Sequence, residues 1–210
     1  SSKTLTLLGE VSSTGNLTKA GAGTLVLSGD NSYSGTTTIS AGTFKVGGAG
    51  RLGNGSYAQN IANSGTFEYA SSADQTLSGV ISGAGVLNKT TSTSSTLTLS
   101  GNNTYSGATT VGAGTLVVGH NNGLGSSAGG VTVASGATLD LNAVTVTGEA
   151  LTLSGGKLKD ATSEWTGSIT LGANSTLEVG SGDTLTISGV ISDGSGGYGI
   201  TKAGAGTLTL

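Results

Sequence analysis

The sequence contains no cysteine, no proline and no methionine among its 210 residues. Without cysteine it can form neither a disulfide framework nor a cysteine-based metal site. Charged residues make up only 9% of the chain and the formal net charge is -3, so the basic surface that nucleic-acid binding requires is absent. No apolar run reaches the roughly 18 residues of a membrane-spanning helix. The fold therefore has to come from backbone hydrogen bonds and apolar packing.

Glycine is the most prominent residue, at 40 positions, and a short pattern recurs between the glycine-rich turns. The pattern is a threonine or another small or polar residue, an apolar residue, any residue and a second apolar residue. Copies within one block start 19 to 23 residues apart, and the step between blocks is 10 or 8 residues. The copies begin at Thr4, Thr24, Thr43 and Thr66, then at Thr76, Thr96, Thr115, Thr138, Lys157 and Thr176, and finally at Thr184 and Thr207.

Alternation of apolar and polar residues within each copy is typical of a strand with one buried face. Pairs such as Phe44 and Val46 would point inwards. The residue between the two apolar residues would point outwards, and Asp160 is the one charged residue that breaks this parity. Charged residues at the outward positions include Lys45, Glu68, Asp140, Lys159 and Glu178.

These short strands at a near-constant spacing predict an all-β right-handed parallel β-helix of about ten coils of 19–23 residues. We expect residues 1–210 to form a single helical segment. A step of 8 to 10 residues is less than half a coil, so the pattern should move to a neighbouring face at each block boundary. Glycine supplies the backbone conformations of the corners, and proline would remove a donor from the strand ladder.

A longer motif runs through residues 17–47 (LTKAGAGTLVLSGDNSYSGTTTISAGTFKVG) and 87–119 (LNKTTSTSSTLTLSGNNTYSGATTVGAGTLVVG), and residues 200–210 open a third copy. It resembles the autotransporter-associated β-strand repeat, also called the passenger-associated transport repeat. Because the third copy stops at Leu210, we expect these residues to belong to a longer protein.

The resemblance implies a β-helical passenger of a Gram-negative type V secretion system, exported through an outer-membrane barrel outside these residues. It also implies a location outside the cell or on its surface, and a role of the repeats in export and folding. Many passengers of this family are adhesins or promote cell aggregation and biofilm growth.

Six motif residues match between the two full copies: Asn31 and Asn103, Tyr33 and Tyr105, Gly35 and Gly107. In the structural interpretation, each asparagine bonds backbone groups at a corner and each tyrosine covers the edge of the apolar column. In the functional interpretation, the tyrosines form a ligand platform. The motif favours the structural interpretation.

The sequence offers no convincing catalytic, metal or cofactor site, and we predict none. His120 is the only histidine and no second ligand type accompanies it. Some β-helices cleave polysaccharides with clustered carboxylates, for which Asp140, Asp160 and Glu164 are the candidates and Trp165 a possible sugar platform. The expected ladder of Asp140, Lys159 and Glu178 on neighbouring coils is better explained as mutual neutralisation.

Threonine pairs such as Thr96 and Thr98 suggest a third function, an ice-matching plane. Such a plane needs the same pair on consecutive coils of constant length. Here Thr98 is followed one coil later by Val117 and then by Asp140, so the sequence does not support this function.

We therefore expect a stiff adhesive or self-associating rod that also promotes export. Copies of itself on neighbouring cells, a host surface or a glycan receptor are the expected partners. The candidate interaction face carries Glu68, Asp140, Lys159 and Glu178. The alternatives are an extracellular carbohydrate-active enzyme and a passive stalk without a ligand.

Overall fold

The computed structural model describes residues 3–91 and 94–210 as a stack of short strands. A single 3₁₀ turn spans Gly53–Gly55. In chain order the strands are β1 (Thr4–Leu7), β2 (Leu17–Lys19), β3 (Thr24–Leu27), β4 (Asp30–Asn31), β5 (Thr37–Ile39), β6 (Thr43–Gly48), β7 (Arg51–Leu52), β8 (Ser56–Tyr57), β9 (Ile61–Asn63), β10 (Thr66–Ser71), β11 (Gln75–Leu77), β12 (Ile81–Ser82), β13 (Val86–Lys89), β14 (Thr96–Leu99), β15 (Thr109–Val111), β16 (Thr115–Val118), β17 (Val131–Ala134), β18 (Thr138–Asn142), β19 (Thr145–Val146), β20 (Leu151–Ser154), β21 (Lys157–Ala161), β22 (Ser163–Trp165), β23 (Ile169–Ala173), β24 (Ser175–Val179), β25 (Thr184–Ile187), β26 (Ile191–Ser192), β27 (Ile200–Ala203) and β28 (Thr207–Thr209).

The strands form three faces of a parallel solenoid. The first face is a ten-stranded sheet in the order β1-β3-β6-β10-β13-β15-β17-β20-β23-β26, and the second is an eight-stranded sheet from β8 to β27. The third face holds two four-stranded sheets, β2-β5-β9-β12 and β19-β22-β25-β28, in different parts of the rod. Strands of both sheets come before the next first-face strand along the chain. The short strands β4 and β7 pair with each other and follow the first-face strands β3 and β6 along the chain. Where a coil has all three strands, the chain runs from the first face to the second and then to the third.

This architecture confirms the predicted all-β parallel helix of about ten coils. The first block of the sequence pattern lies on the first face, the second block lies on the second face, and the third block lies on the third face. The predicted change of face at each block boundary is therefore confirmed. The right-handed sense of the coil stays a prediction.

The core is a narrow column of apolar side chains that continues from coil to coil. Leu25, Phe44, Phe67 and Leu87 occupy successive coils at one position, and all four are buried. The rings of Phe44 and Phe67 stack with their centres 5.9 Å apart. The inward parity predicted from the sequence is therefore correct along this column.

The strand register predicted from the sequence is wrong at Thr76. Thr76 pairs with Thr98 and not with Thr96, which brings Gln75 opposite Leu97 at an inward position. The buried amide of Gln75 is satisfied by the backbone of Leu52, since its Oε1 accepts from the N–H at 2.7 Å and its Nε2 donates to the carbonyl at 3.0 Å. A polar residue can occupy the column here because the preceding coil supplies both partners.

Candidate functional site

A lysine ends the opening strand of the first motif copy and holds the glycine-rich turn that follows. Lys19 is only 5% exposed, and its Nζ donates to the carbonyl oxygens of Ala20 at 2.9 Å and Gly21 at 2.7 Å. A third hydrogen bond, of 2.9 Å, reaches the carbonyl oxygen of Ala41 in the next coil. One ammonium group therefore closes its own turn and joins it to the following coil.

The other copies place a lysine at the same motif position. Lys202 Nζ donates to the carbonyl oxygens of Ala203 at 3.3 Å and Gly204 at 2.7 Å, as Lys19 does within its own turn. Lys89 is fully buried and donates to Ser95 Oγ at 3.0 Å. Burial lowers the pKa of Lys89, and the charge of Asp74 partly opposes this. These lysines were not predicted as site residues, although the run Lys-Ala-Gly-Ala-Gly that begins at Lys19 and at Lys202 was visible in the sequence.

Replacing Lys19 with methionine tests this turn. Lys19→Met keeps the length of the side chain but leaves three turn carbonyls without a donor. We expect the free energy of unfolding to fall by about 2 kcal/mol. Lys45→Met, which removes the partly exposed ion pair with Glu68, should cost about 0.2–1 kcal/mol. Equal losses in urea titrations of the two variants would contradict the assignment.

The motif asparagines join three consecutive coils. Asn103 is 2% exposed; its Oδ1 accepts from the N–H of Ile81 at 2.8 Å, and its Nδ2 donates to the carbonyl oxygen of Gly123 at 2.7 Å. Asn31 makes the equivalent bonds to the coils before and after it. One amide thus supplies both an acceptor and a donor at a corner where strand pairing is interrupted.

The motif tyrosines point into the core. Tyr33 is 2% exposed and Tyr105 is fully buried. The hydroxyl of Tyr33 shares a hydrogen bond of 2.7 Å with Thr37 Oγ1, which also contacts the hydroxyl of Tyr57 at 2.8 Å. Tyr105 repeats the arrangement with Thr109 at 2.8 Å. Burial raises the pKa of both motif tyrosines. Rings enclosed in this way present no surface to an external ligand.

The motif glycines lie where one corner stacks directly on the corner of the previous coil. A Cβ on Gly35 would lie 2.1 Å from the carbonyl oxygen of Gly15, and a Cβ on Gly107 would lie 2.1 Å from that of Gly85. Real Cβ atoms do not approach a backbone oxygen so closely. Glycine is therefore required by the spacing of the coils at these corners.

The three motif copies begin on three different faces. The opening strand of the first copy is β2 on the third face, that of the second is β13 on the first face, and that of the third is β27 on the second face. Each copy therefore starts one face further round the coil than the copy before it. The motif is thus a local corner structure that serves any of the three corners.

The predicted interaction face does not exist as one surface. Glu68 lies on the first face, where it pairs with Lys45 at 3.0 Å, whereas Asp140, Lys159 and Glu178 lie on the second face. The physical reason is the change of face between the first and second blocks. Charges at equivalent pattern positions therefore point in different directions.

The second-face charges neutralise one another along the rod. Lys159 Nζ contacts Asp140 Oδ2 at 2.7 Å, and this hydrogen bond is the main reason that the pKa of Lys159 is raised. Glu178 is the register partner of Lys159, but its ion pair is with Lys157. These acids already have partners within the rod, so they leave little free charge for an external ligand.

The carboxylates considered for carbohydrate cleavage do not form a cluster on one face. Asp140 is ion-paired on the second face, Glu164 lies on the third face with Ser188 Oγ 3.3 Å away, and Asp160 is 2% exposed. Trp165 has no exposed surface, so it cannot stack on a sugar.

The only histidine serves a turn. His120 Nδ1 accepts a hydrogen bond of 3.0 Å from the N–H of Asn122. Within residues 3–91 and 94–210, no three or more His, Asp or Glu side chains group closely enough to hold a metal ion. In the same described part of the chain, no helix has the length and apolar character to cross a membrane.

One ordered feature of the surface was not predicted. Thr110, Thr132, Thr152 and Thr170 stand outward on consecutive coils of the first face, followed by Ser192. We call these five residues the hydroxyl ladder. Their strands β15, β17, β20, β23 and β26 contain no charged residue. This row was not recognised in the sequence, where only the row at Thr98 on the second face was considered, because its steps of 22, 20, 18 and 22 residues are unequal.

Comparison with known proteins places the motif in a family. The family model described as passenger-associated-transport-repeat matches residues 17–46, 94–118 and 200–210. These matches fall within the three copies seen in the sequence. No solved structure matches the chain.

A curated relative carries the same signal. The adhesin BmaC autotransporter of Brucella suis biovar 1 (strain 1330) is 53% identical to this chain over 53 residues. The match covers 25% of this chain and 2% of the length of that protein. Over these residues the chain is therefore similar to autotransporter passengers that carry passenger-associated-transport repeats.

Proposed function

We propose that this chain is a stiff section of an adhesin, displayed on or released from a Gram-negative cell, that works by repeated weak contacts and not by catalysis. An adhesin-like passenger is what the family model and the relative's name support. The stiffness follows from the core, because the apolar side chains of one coil pack on those of the next along most of the column. Such a rod separates a binding surface from the cell and repeats it along its length.

We propose the hydroxyl ladder as the contact surface and a second copy of this chain, on a neighbouring cell, as its partner. The observation that carries this choice is the difference between the faces. The outward acids of the second face, Asp140 and Glu178, are held in ion pairs, whereas the ladder strands carry no charge that would repel an identical strand stack. Two ladders have the same repeat of about 4.8 Å, so their hydroxyl groups can meet in register.

The size of the ladder makes a single contact weak. Five coils at about 4.8 Å and a strip about 10 Å wide give roughly 240 Å² on each copy. A stable interface buries about 800 Å² per partner. Association therefore depends on many copies acting together at a cell surface, where linkage raises the effective concentration.

Clustering of coated beads tests the proposal. The purified chain is coupled through one end to microspheres, and clustering is followed by light scattering. The variant Thr132→Lys/Thr152→Lys places two like charges on the ladder, and we expect at least a ten-fold loss of clustering. The matched control is Thr96→Lys/Thr115→Lys, two outward threonines on adjacent coils of the second face, which should cluster as the original chain does.

The possible results separate the alternatives. Clustering that survives the ladder substitutions, or that is lost equally in both variants, would contradict the ladder as the contact surface. Beads that never cluster would overturn self-association. Binding to a glycan array would then favour a glycan receptor as the partner, and polysaccharide cleavage would favour an enzyme. If the chain showed neither glycan binding nor cleavage, a passive stalk would be favoured.

A further inference from the structure

Asp160 is a carboxyl group placed inside an aliphatic column. The inward column of the second face runs through Leu99, Val118, Leu141, Asp160 and Val179 on consecutive coils. Asp160 is 2% exposed, whereas charged residues on neighbouring strands point outwards. Burying an ionised carboxylate without a partner is costly, so the charge state of this residue matters to the coil that carries it.

Neither carboxyl oxygen of Asp160 has a hydrogen-bond partner. The nearby Ser163 hydroxyl donates to the carbonyl oxygen of Leu141 at 3.4 Å and accepts from the N–H of Val144 at 3.2 Å. The Nε1 of Trp165, in the same coil, is also buried without a partner. This coil therefore holds two unsatisfied polar groups in its core.

Among residues 3–91 and 94–210, no cation faces Asp160 to compensate its charge. Lys157 and Lys159 lie on the same strand but point outwards, where they pair with Glu178 and Asp140. Glu164, on the next strand, is also at an outward position.

Burial is the main cause of the raised pKa of Asp160, and the charge of Asp183 adds to it. Ser163 and the N–H groups of Thr162 and Ala161 approach the carboxyl without a well-formed hydrogen bond and partly oppose the rise.

The corner beside Asp160 is strained as well. Thr162 has φ 57°, and Ala143, at the same corner one coil earlier, has φ 56°. This left-handed region is unfavourable for a residue with a Cβ, and especially for the β-branched threonine. The coil combines an unsatisfied acid with a strained corner, so it has less local stability than coils with a wholly apolar column.

We propose that residues 157–165 form an acid-strengthened joint of the rod: this segment opens locally when Asp160 is ionised and stays closed when Asp160 is neutral. The sign follows from linkage. A group whose pKa is raised by folding stabilises the folded state at low pH, and this contribution is lost as pH rises through the folded-state pKa. The joint would make the rod stiffer in an acidic surrounding and more easily opened in an alkaline one.

Hydrogen–deuterium exchange at pH 5 and pH 8, corrected for the intrinsic exchange rate, tests the joint. In the full chain we expect peptides from residues 157–179 to exchange at least ten-fold faster at pH 8. Asp160→Leu restores the aliphatic column, and should remove this difference and give slow exchange at both pH values. Asp160→Asn serves as the neutral variant if leucine disturbs packing, and it should also remove the pH difference.

Two controls isolate Asp160. Asp140→Asn changes an outward acid one coil earlier and should leave the pH difference intact. Glu149 is 3% exposed and burial raises its pKa to about 7. Hydrogen–deuterium exchange at pH 5 and pH 8 is therefore also measured for Glu149→Gln. A pH difference that persists in both Asp160 variants, or that disappears in Glu149→Gln alone, would overturn the proposal. Fluorescence of Trp165, the one tryptophan, reports the same transition independently.

Discussion

Gly107→Ala is expected to lower the free energy of unfolding by about 3 kcal/mol or more, near the upper end of the cost of overpacking. The added Cβ would lie 2.1 Å from the carbonyl oxygen of Gly85. The obstructing atom belongs to the backbone, so no side chain can rotate away. Gly129 stacks on Gly107 in the same manner, with 2.2 Å between its own Cβ position and the oxygen of Gly107, so a displaced corner would also disturb the next coil.

The control for this prediction lies five residues along the chain. A Cβ on Gly112 would meet its nearest atoms, the carbonyl oxygen of Lys89 and Cγ2 of Thr90, at 3.6 and 3.7 Å, which are ordinary contacts. Gly112→Ala should therefore change stability by less than about 1 kcal/mol and can be stabilising, because alanine restricts the unfolded chain. Similar urea midpoints for the two variants would show that the corners do not stack as described.

Asn103→Ala is expected to cost about 3 kcal/mol, since it leaves a buried donor and a buried acceptor without partners. The N–H of Ile81 belongs to the coil before and the carbonyl oxygen of Gly123 to the coil after. Loss of the amide therefore weakens two coil junctions at once. Exchange of the Ile81 amide hydrogen should also become faster than in the original chain.

The neighbouring asparagine provides the comparison. Asn102 is exposed, and its Oδ1 accepts from Asn122 Nδ2 at 2.9 Å on the surface. Asn102→Ala should cost less than about 1 kcal/mol, because water can replace the lost partner. If Asn102→Ala proved as destabilising as Asn103→Ala, the bridging role of Asn103 would have to be abandoned.

The strand faces could be predicted from the sequence because alternation is a local property. Phe44, Phe67 and Leu177 are buried where the pattern places them, and Lys45 and Glu68 point outwards. The moves between faces were also visible, because short steps between blocks have a simple geometric meaning. These features depend only on spacing along the chain.

The features that were missed depend on contacts between coils. At Gln75 the local pattern favoured a different register, and only the backbone of Leu52 in the previous coil makes the buried amide acceptable. Glu178 pairs with Lys157 although Lys159 is its register partner. The hydroxyl ladder escaped notice because coil lengths vary, so equal positions on one face are unequally spaced in sequence.

Successive coils should add a constant rise along the solenoid axis, whatever their length in residues. One row of the first face includes Thr6, Val26, Asn88 and Thr170. A spin label at Thr170 is paired in turn with a label at Asn88, at Val26 and at Thr6, and the three distances are measured by pulsed electron paramagnetic resonance. Four, seven and eight coil steps of about 4.8 Å predict separations of about 19, 34 and 38 Å. Separations that fail to increase in this order, or that differ from these intervals by more than about one coil rise, would contradict the stacked solenoid.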